Sequence, residues 1–309
     1  MKGFRFRPLL RLLAAGLLGL SLVLPAAAEV VTLDRDIMTY GFPSRKEGWS
    51  KNKDEYQDES IHIKVYHKSR KPKSSHVKVT CRWVTISVAN PSQLRTALSN
   101  DSYDDPGEIG APTLARHVNA IVAMNGDYFK YNYGKGYVLR QGVFYRDALD
   151  GTWDSLIIDD RGDFHGVREA TSESMAAALS DLRAQGREPV NVFTFGPILV
   201  ENGQIVREEY TSEMHYSGLS TQRIALLQLG ELEYAIVEID SPEGNGSGMN
   251  LHELARFILE IFPDCKMAYN FDGGGSTHLV VNGKQIHETK AGRAVGDIVY
   301  FASAQKPEE

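Results

Sequence analysis

The sequence predicts an α+β fold: a single domain with a mostly antiparallel or mixed β-sheet and a few flanking helices. Three observations carry the prediction. Short apolar–polar alternations recur between turn residues, as in Ile61-His62-Ile63-Lys64-Val65-Tyr66. Asn202-Gly203 and Asn282-Gly283 sit between such runs, and both residue types accept the positive φ of a tight hairpin. Helical periodicity is confined to a few capped stretches, and no repeat or low-complexity linker divides the chain.

The elements follow in order. Lys2, Arg5, Arg7 and Arg11 precede or interrupt an apolar run from Leu12 to Leu24, and Pro25-Ala26-Ala27-Ala28 offers a small-residue cleavage site. Residues 1–28 are therefore expected to be a signal peptide, which implies an exported protein, periplasmic or secreted, that meets a membrane only transiently. Residues 29–75 read as a polar leader segment holding the strand Ile61–Tyr66 and the start of a basic loop, Lys68 to Lys78. The main domain is assigned to 76–302, with a tail at 303–309. Val77 to Val88 holds the next strand or strands. Asn90 caps and Pro91 opens a predicted helix whose apolar face is Leu94, Ala97 and Leu98. Ala111 to Asn119 is a short helix leading into a buried strand, Ala120 to Met124. Hairpins follow: Ser155–Ile158 with Phe164–Val167, Ile198–Glu201 with Gln204–Arg207, and Leu279–Val281 with Lys284–His287. Ser172–Arg183 and Asn250–Phe262 read as helices, and Gly296–Ala302 as the last strand.

Composition narrows the function. Hydrophobic residues make up 42% and charged residues 24%, enough for a substantial core. Loss of residues 1–28 removes four positive charges and takes the formal charge from −6 to −10. An acidic chain argues against nucleic acid as the partner. Cys81 and Cys265 lie far apart, and no Cys/His spacing resembles a zinc site.

One stretch has no packing rationale: Asn270-Phe271-Asp272-Gly273-Gly274-Gly275-Ser276-Thr277. Three consecutive glycines forgo side-chain burial and raise the entropy cost of ordering the chain. In return they allow close backbone approach and leave N–H groups to face an anion. Three other strand ends share its design: Asn125-Gly126-Asp127-Tyr128-Phe129, Phe195-Gly196-Pro197 and Thr221-Gln222-Arg223. Converging strand ends would bring together Asp127, Asp272, Asn125, Asn270, Arg223, Ser276 and Thr277. Trp153, Tyr131 and Tyr133 are candidates to stack on sugar rings, whereas Trp83 is expected to pack; His278 is the histidine best placed to line a cleft.

These pieces resemble the phosphodiester glycosidase family, the uncovering-enzyme-like domain. Its A-x-N-G-x-[FY]-F segment is matched by Ala123 to Phe129, its G-P-x-L-[IV]-x-[ND]-G hairpin by Gly196 to Gly203, and its N-L-D-G-G-G-S-T segment by Asn270 to Thr277. A closing R-x-V-x-[ND] segment is matched by Arg293 to Asp297, and the resemblance spans about residues 76–302. The chain departs from the family where Gln222 and Ile224 flank Arg223, where Leu226-Leu227 replaces a glycine-containing end, and at Asp127.

The resemblance implies an enzyme that hydrolyses a sugar-1-phosphodiester at the glycosidic bond, with a glycan or sugar phosphate as partner. For that reaction Asp272 is read as the catalytic carboxylate, Arg223 and the Gly273–Gly275 loop as holding the phosphate, and Asn125 as holding sugar or phosphate oxygens, with Asp127 a further catalytic candidate that the family pattern does not supply. Gly273, Gly274, Gly275, Ser276, Thr277, Asn270, Gly126 and Arg293 would bind substrate or phosphate. No cofactor is required, although Asp127 and Asp272 together leave a divalent cation open. The alternatives are a non-catalytic module that binds a phosphorylated glycan, and a metal-dependent phosphodiesterase.

Overall fold

The computed structural model describes residues 29–107, 109–130, 132, 134–208, 210, 218–243, 246–286 and 292–307. The expected signal peptide, Tyr131, Tyr133, residues 244 and 245 and the hairpin end at His287 lie outside the described residues.

Three sheets share one core. The largest has eight strands in the order Glu55–Gln57, Ile61–Arg70, Val79–Val88, Glu233–Ile239, Arg223–Gly230, Met267–Asn270, Ile198–Glu201, Gln204–Ile205. A second runs Val143–Ala148, Gly136–Arg140, Pro189–Thr194, Ser155–Asp159, Phe164–Val167, and a third Lys284–Gln285, Leu279–Val281, Ala120–Asn125, Asp297–Ala302, Leu94–Leu98. Every strand pair described is antiparallel.

Side-chain alternation along a strand assigns each sheet two apolar faces. One face of each sheet enters the central core, where Ile236, Leu226 and Tyr269 of the first sheet meet Leu156 and Phe193 of the second and Val122, Leu279 and Phe301 of the third. The other face is covered by a helix. Leu251–Ile261 lies on Ala225, Leu227, Ala235 and Val237; Ala111–His117 on Ala123, Val280 and Ile298; Ser172–Ala184 on Leu139, Ile157 and Val192. Each such buried leucine or isoleucine contributes about 1.5–3 kcal/mol. Asn250 caps the first of these helices, accepting from the Glu253 N–H at 2.9 Å.

The helices at 111, 172 and 251 and the hairpins stand as predicted from the sequence. The helix expected from Asn90 does not form. Asn90 and Gln93 make a capping box around a single 3₁₀ turn, Pro91–Gln93, after which Leu94–Leu98 is a strand. All five of its residues are buried, and it pairs along its length with Asp297–Ala302. Apolar residues at Leu94, Ala97 and Leu98 around buried Arg95 and Thr96 do not fix the period, and tertiary pairing decides. Residues 55–70 are no leader apart from the domain, since Ile61–Arg70 pairs with Val79–Val88 over ten residues. Cys81 and Cys265 are both free, buried thiols in the helix-covered layer of the first sheet. Among the described residues no helix is long and apolar enough to cross a membrane.

Candidate active site

The glycine loop is the crossover from the first sheet to the third. It leaves the strand Met267–Asn270 and enters Leu279–Val281. Its start is tied down by the Asn270 N–H to the Pro197 carbonyl at 3.1 Å and the Phe271 N–H to the Ile224 carbonyl at 2.9 Å. Its middle is a single 3₁₀ turn, Gly274–Ser276. Gly274 has φ +56°, a left-handed conformation that favours glycine. At Gly273 a Cβ would lie 2.7 Å from the Gln222 carbonyl oxygen, so the close approach to the neighbouring strand excludes a side chain.

Asn125 closes the far end. Its amide donates to the carbonyls of Asp272 at 2.9 Å and Gly126 at 3.0 Å, and its Oδ1 accepts from the His278 N–H at 2.9 Å. The strand end at Asn125 and both ends of the loop therefore hold one another in register.

Asp272 opens onto a small cleft lined by residues 125–128, Lys130, Ser276 and residues 294–296. The side chain is half-buried. Burial lifts its carboxyl to about 6; the Ser276 hydroxyl, the Arg293 guanidinium and the Gly273 N–H pull it partly back, and the charge of Asp127 adds a small push upward. Arg293 is exposed, and its N–H donates to the Gly275 carbonyl at 2.6 Å. Its guanidinium stands 3.8 Å from where a Gly275 Cβ would be. Among the described residues the Gly275 N–H has no protein acceptor. A carboxylate poised near neutrality thus faces the cleft with Ser276 beside it, and the Arg293 charge and the exposed Gly275 N–H lie close by.

Several expected roles change. Asp127 is the anionic partner of Arg140 at 2.8 Å, and it also accepts from the N–H groups of Phe129 at 3.2 Å and Thr194 at 3.0 Å. With its oxygens so committed it is neither a free catalytic carboxylate nor half of a metal pair with Asp272. Among the described residues no group of three or more His, Cys, Asp or Glu side chains is placed to hold a metal. Asn125 spends its amide hydrogens on protein carbonyls, so it organises the loop rather than holding sugar or phosphate oxygens. Asn270 is fully buried and donates to the Gly196 carbonyl at 2.7 Å, beneath the site rather than in it. Thr277 is likewise buried, its hydroxyl without a hydrogen-bond partner among the described residues, and it does not line the cleft. Of the three glycine N–H groups, Gly274 donates to the Gln222 carbonyl at 3.0 Å and Gly273 to the Asp272 carboxylate, which leaves Gly275 for an anion.

Arg223 is buried behind the loop. Its Nε donates to the Met249 carbonyl at 3.2 Å and an Nη to the Leu219 carbonyl at 2.8 Å, with its Cδ 3.7 Å from where a Gly273 Cβ would be. Burial draws its pKa down to about 10, against the opposing pull of the Asp272 charge. Its charge reaches Asp272 through the loop, and a bidentate grip on phosphate is not what this placement offers. His278 lies under the backbone of Gly292, with Nδ1 2.8 Å from the Ser276 carbonyl, and burial lowers its pKa. Trp83 packs as expected, stacked on Tyr66 at 5.5 Å. Trp153 carries Lys135 over its ring at 5.9 Å, away from the cleft lining.

The sequence reading missed Lys130, which lines the cleft, and the buried pair Arg140 and Asp297, whose Nε–Oδ2 distance is 2.8 Å. Asp297 lay within the closing motif, but nothing local marked Arg140.

The family model for phosphodiester glycosidases matches residues 118–302, and the chain belongs to that family, which is one of hydrolases. Among solved structures it is similar to the zebrafish N-acetylglucosamine-1-phosphodiester α-N-acetylglucosaminidase catalytic domain, auto-inhibited by its pro-peptide. That likeness has a TM-score of 0.61 at 17% identity over 85% of this chain and 87% of the other, and it concerns the fold. Weaker likenesses are a hypothetical protein from Synechocystis (TM-score 0.47, 14% identity, 79% of this chain and 62% of that one) and an exported protein from Burkholderia pseudomallei (TM-score 0.46, 14% identity, 72% and 74%). No curated protein matches the chain.

Proposed function

We propose that the protein is an exported hydrolase that cleaves a sugar-1-phosphodiester at the glycosidic bond, with Asp272 as its catalytic carboxylate. The observation that carries this reading is Asp272 lining the cleft with Ser276 and Lys130, within reach of the Arg293 charge, its carboxyl lifted by burial to about 6. Export rests on the basic and apolar pattern of residues 1–28.

The chemistry follows from the leaving group. A departing phosphate monoester has a second pKa of about 6, so it needs far less protonation than a sugar alkoxide. What it needs is stabilisation of the charge that develops on its oxygens. Arg293 and the Gly275 N–H, both exposed, supply that, buried Arg223 adds positive potential from behind, and the Ser276 hydroxyl serves Asp272. Asp272, ionised above pH 6, acts on the anomeric centre either directly as a nucleophile or as base for the attacking water. In the net reaction the C1–O bond breaks, the sugar gains the water hydroxyl, and the phosphate monoester carries away the other proton.

The test is turnover of a sugar-1-phosphodiester by the wild type and by Asp272→Asn. The wild type is expected to hydrolyse it and D272N to lose at least about 10³-fold in kcat with its fold intact. In ¹⁸O-water the label is expected on the sugar. Label on phosphate would mean P–O cleavage and overturn the glycosidase reading, and binding without turnover would make the protein a recognition module.

A further inference from the structure

We infer that Arg140 and Asp297 are positioning residues for Asp272, acting through an Asp127–Arg140–Asp297 ion cluster that fixes the Asn125-Gly126 backbone. The inference rests on the proposed role of Asp272 and identifies what holds that residue in place.

The cluster joins two sheets directly behind the cleft wall. Arg140 ends the strand Gly136–Arg140 of the second sheet, while Asp297 opens a strand of the third and Asp127 follows another. The guanidinium is fully buried, 2.8 Å from Asp127 through one Nη and 2.8 Å from Asp297 through Nε. Its remaining Nη donates to the carbonyls of Leu139 and Val192, and the Phe193 ring lies 4.2 Å from its Cζ. Only a planar fork reaches two carboxylates on different elements at once; lysine does not.

The cluster grips the backbone between its two acids. The Gly126 N–H donates to the Asp297 carbonyl at 3.0 Å. The Asp297 Oδ1 rests against Gly126 where a Cβ would stand, and it has no hydrogen-bond partner among the described residues. Gly126 can therefore neither rise toward the second sheet nor carry a side chain. From Gly126 the path to the reacting group is one residue long, because the Asn125 amide bridges the Gly126 and Asp272 carbonyls. A buried ion cluster is a poor source of net stability, since desolvation of its charges offsets most of their attraction. Its use here is geometric: it locks the rim of the cleft to two sheets.

The experiment compares wild type, R140Q, D297N and R140Q/D127N in the full chain. Folding is checked by cooperative melting, and kcat and KM are measured on a sugar-1-phosphodiester. The Asp272 carboxyl is followed by ¹³C-NMR titration, its signal assigned by its loss in D272N. In folded R140Q, kcat is expected to fall about 10–100-fold with KM within about twofold, as for a small misplacement of a reacting group. Its Asp272 titration is expected to move to higher pH, because the Asp127 charge is no longer neutralised. R140Q/D127N is expected to bring the titration back while kcat stays low. D297N keeps the Arg140–Asp127 pair and is expected to lower kcat alone; it carries the test should R140Q not fold. Folded variants with wild-type kcat and an unmoved titration would overturn the inference, as would losses that merely track the folded fraction. If the wild type turns over no phosphodiester, the proposed function fails by itself, and the titration still decides whether the cluster governs Asp272.

Discussion

Asp272 is held in a state that works against the fold once it ionises. Its carboxyl sits at about 6, above the ordinary 3.8, because burial outweighs the pull of Ser276, Arg293 and the Gly273 N–H. A carboxyl with a raised folded pKa favours the native state below about pH 4. That advantage is lost as pH rises through 6. At pH 8 the ionised group therefore works against folding, and D272N is expected to melt higher than wild type, by roughly 1–2 kcal/mol after solvent screening. The same ionisation should set the acid limb of kcat/KM, with the rate rising through pH 6 and levelling above it. A wild-type profile flat from pH 5 to 7, or a D272N protein less stable at pH 8, would contradict this account. The residue was legible in the sequence because three adjacent glycines beside a carboxylate have no packing use, and that signature is local. Arg140 and Asp297 were not, because their bond spans 157 residues and each alone reads as an ordinary strand-end charge. Asp127 was misread for the same reason: its partner could not be seen.

At the scale of elements, the hairpins and capped helices could be read because Asn-Gly turns and Asn250-type caps act within a few residues of themselves. The strand Leu94–Leu98 could not, since its state is decided by pairing with Asp297–Ala302, some 200 positions away in the chain. The order of elements also explains why the site is rigid. The end of Ala120–Asn125, the crossover loop and the start of Asp297–Ala302 meet at Gly126, whose missing side chain is the space that Asp297 occupies. Gly126→Ala is therefore expected to cost about 1–3 kcal/mol from overpacking, and to lower kcat by shifting Asn125 and with it Asp272. Gly275→Ala makes the contrast. It is exposed, and its added methyl would meet only Arg293 Nη2 at 3.8 Å, so its melting temperature is expected to stay near wild type. Thermal melts of the two variants check the pair, and equal stability would mean that the Gly126–Asp297 contact is not as tight as described.

Across the whole molecule, buried carboxyls dominate the response to pH. Glu238 is fully buried, 3.2 Å from Arg82, with one carboxylate oxygen lacking any partner among the described residues. Burial lifts its pKa to about 8, against the opposing pull of Arg82. Asp297 is raised as well, by complete burial and the charge of Asp127 against the pull of Arg140, and Asp272 to about 6. Each raised carboxyl stabilises the fold below its unfolded value near 4, and that contribution fades as pH climbs through its folded value. Two groups act the other way at lower pH. His278 is buried with a lowered pKa, so the fold loses stability as pH falls through the ordinary histidine range near 6.5. Asp159, held down at about 2 by His165, Arg187 and backbone N–H groups, loses its contribution only below about pH 4. The raised carboxyls outweigh His278, so stability is greatest near pH 4 and falls from there to about pH 8, levelling once Glu238 has ionised without a second partner. Glu238→Gln removes the charge while keeping the shape, and is expected to flatten the alkaline limb without moving the acid one. Melting temperatures from pH 4 to 9 for wild type and E238Q decide it. A wild-type curve that is level or rising between pH 5 and 8 would mean that Glu238 finds a counter-charge when it ionises, and that the three-sheet core tolerates the buried anion.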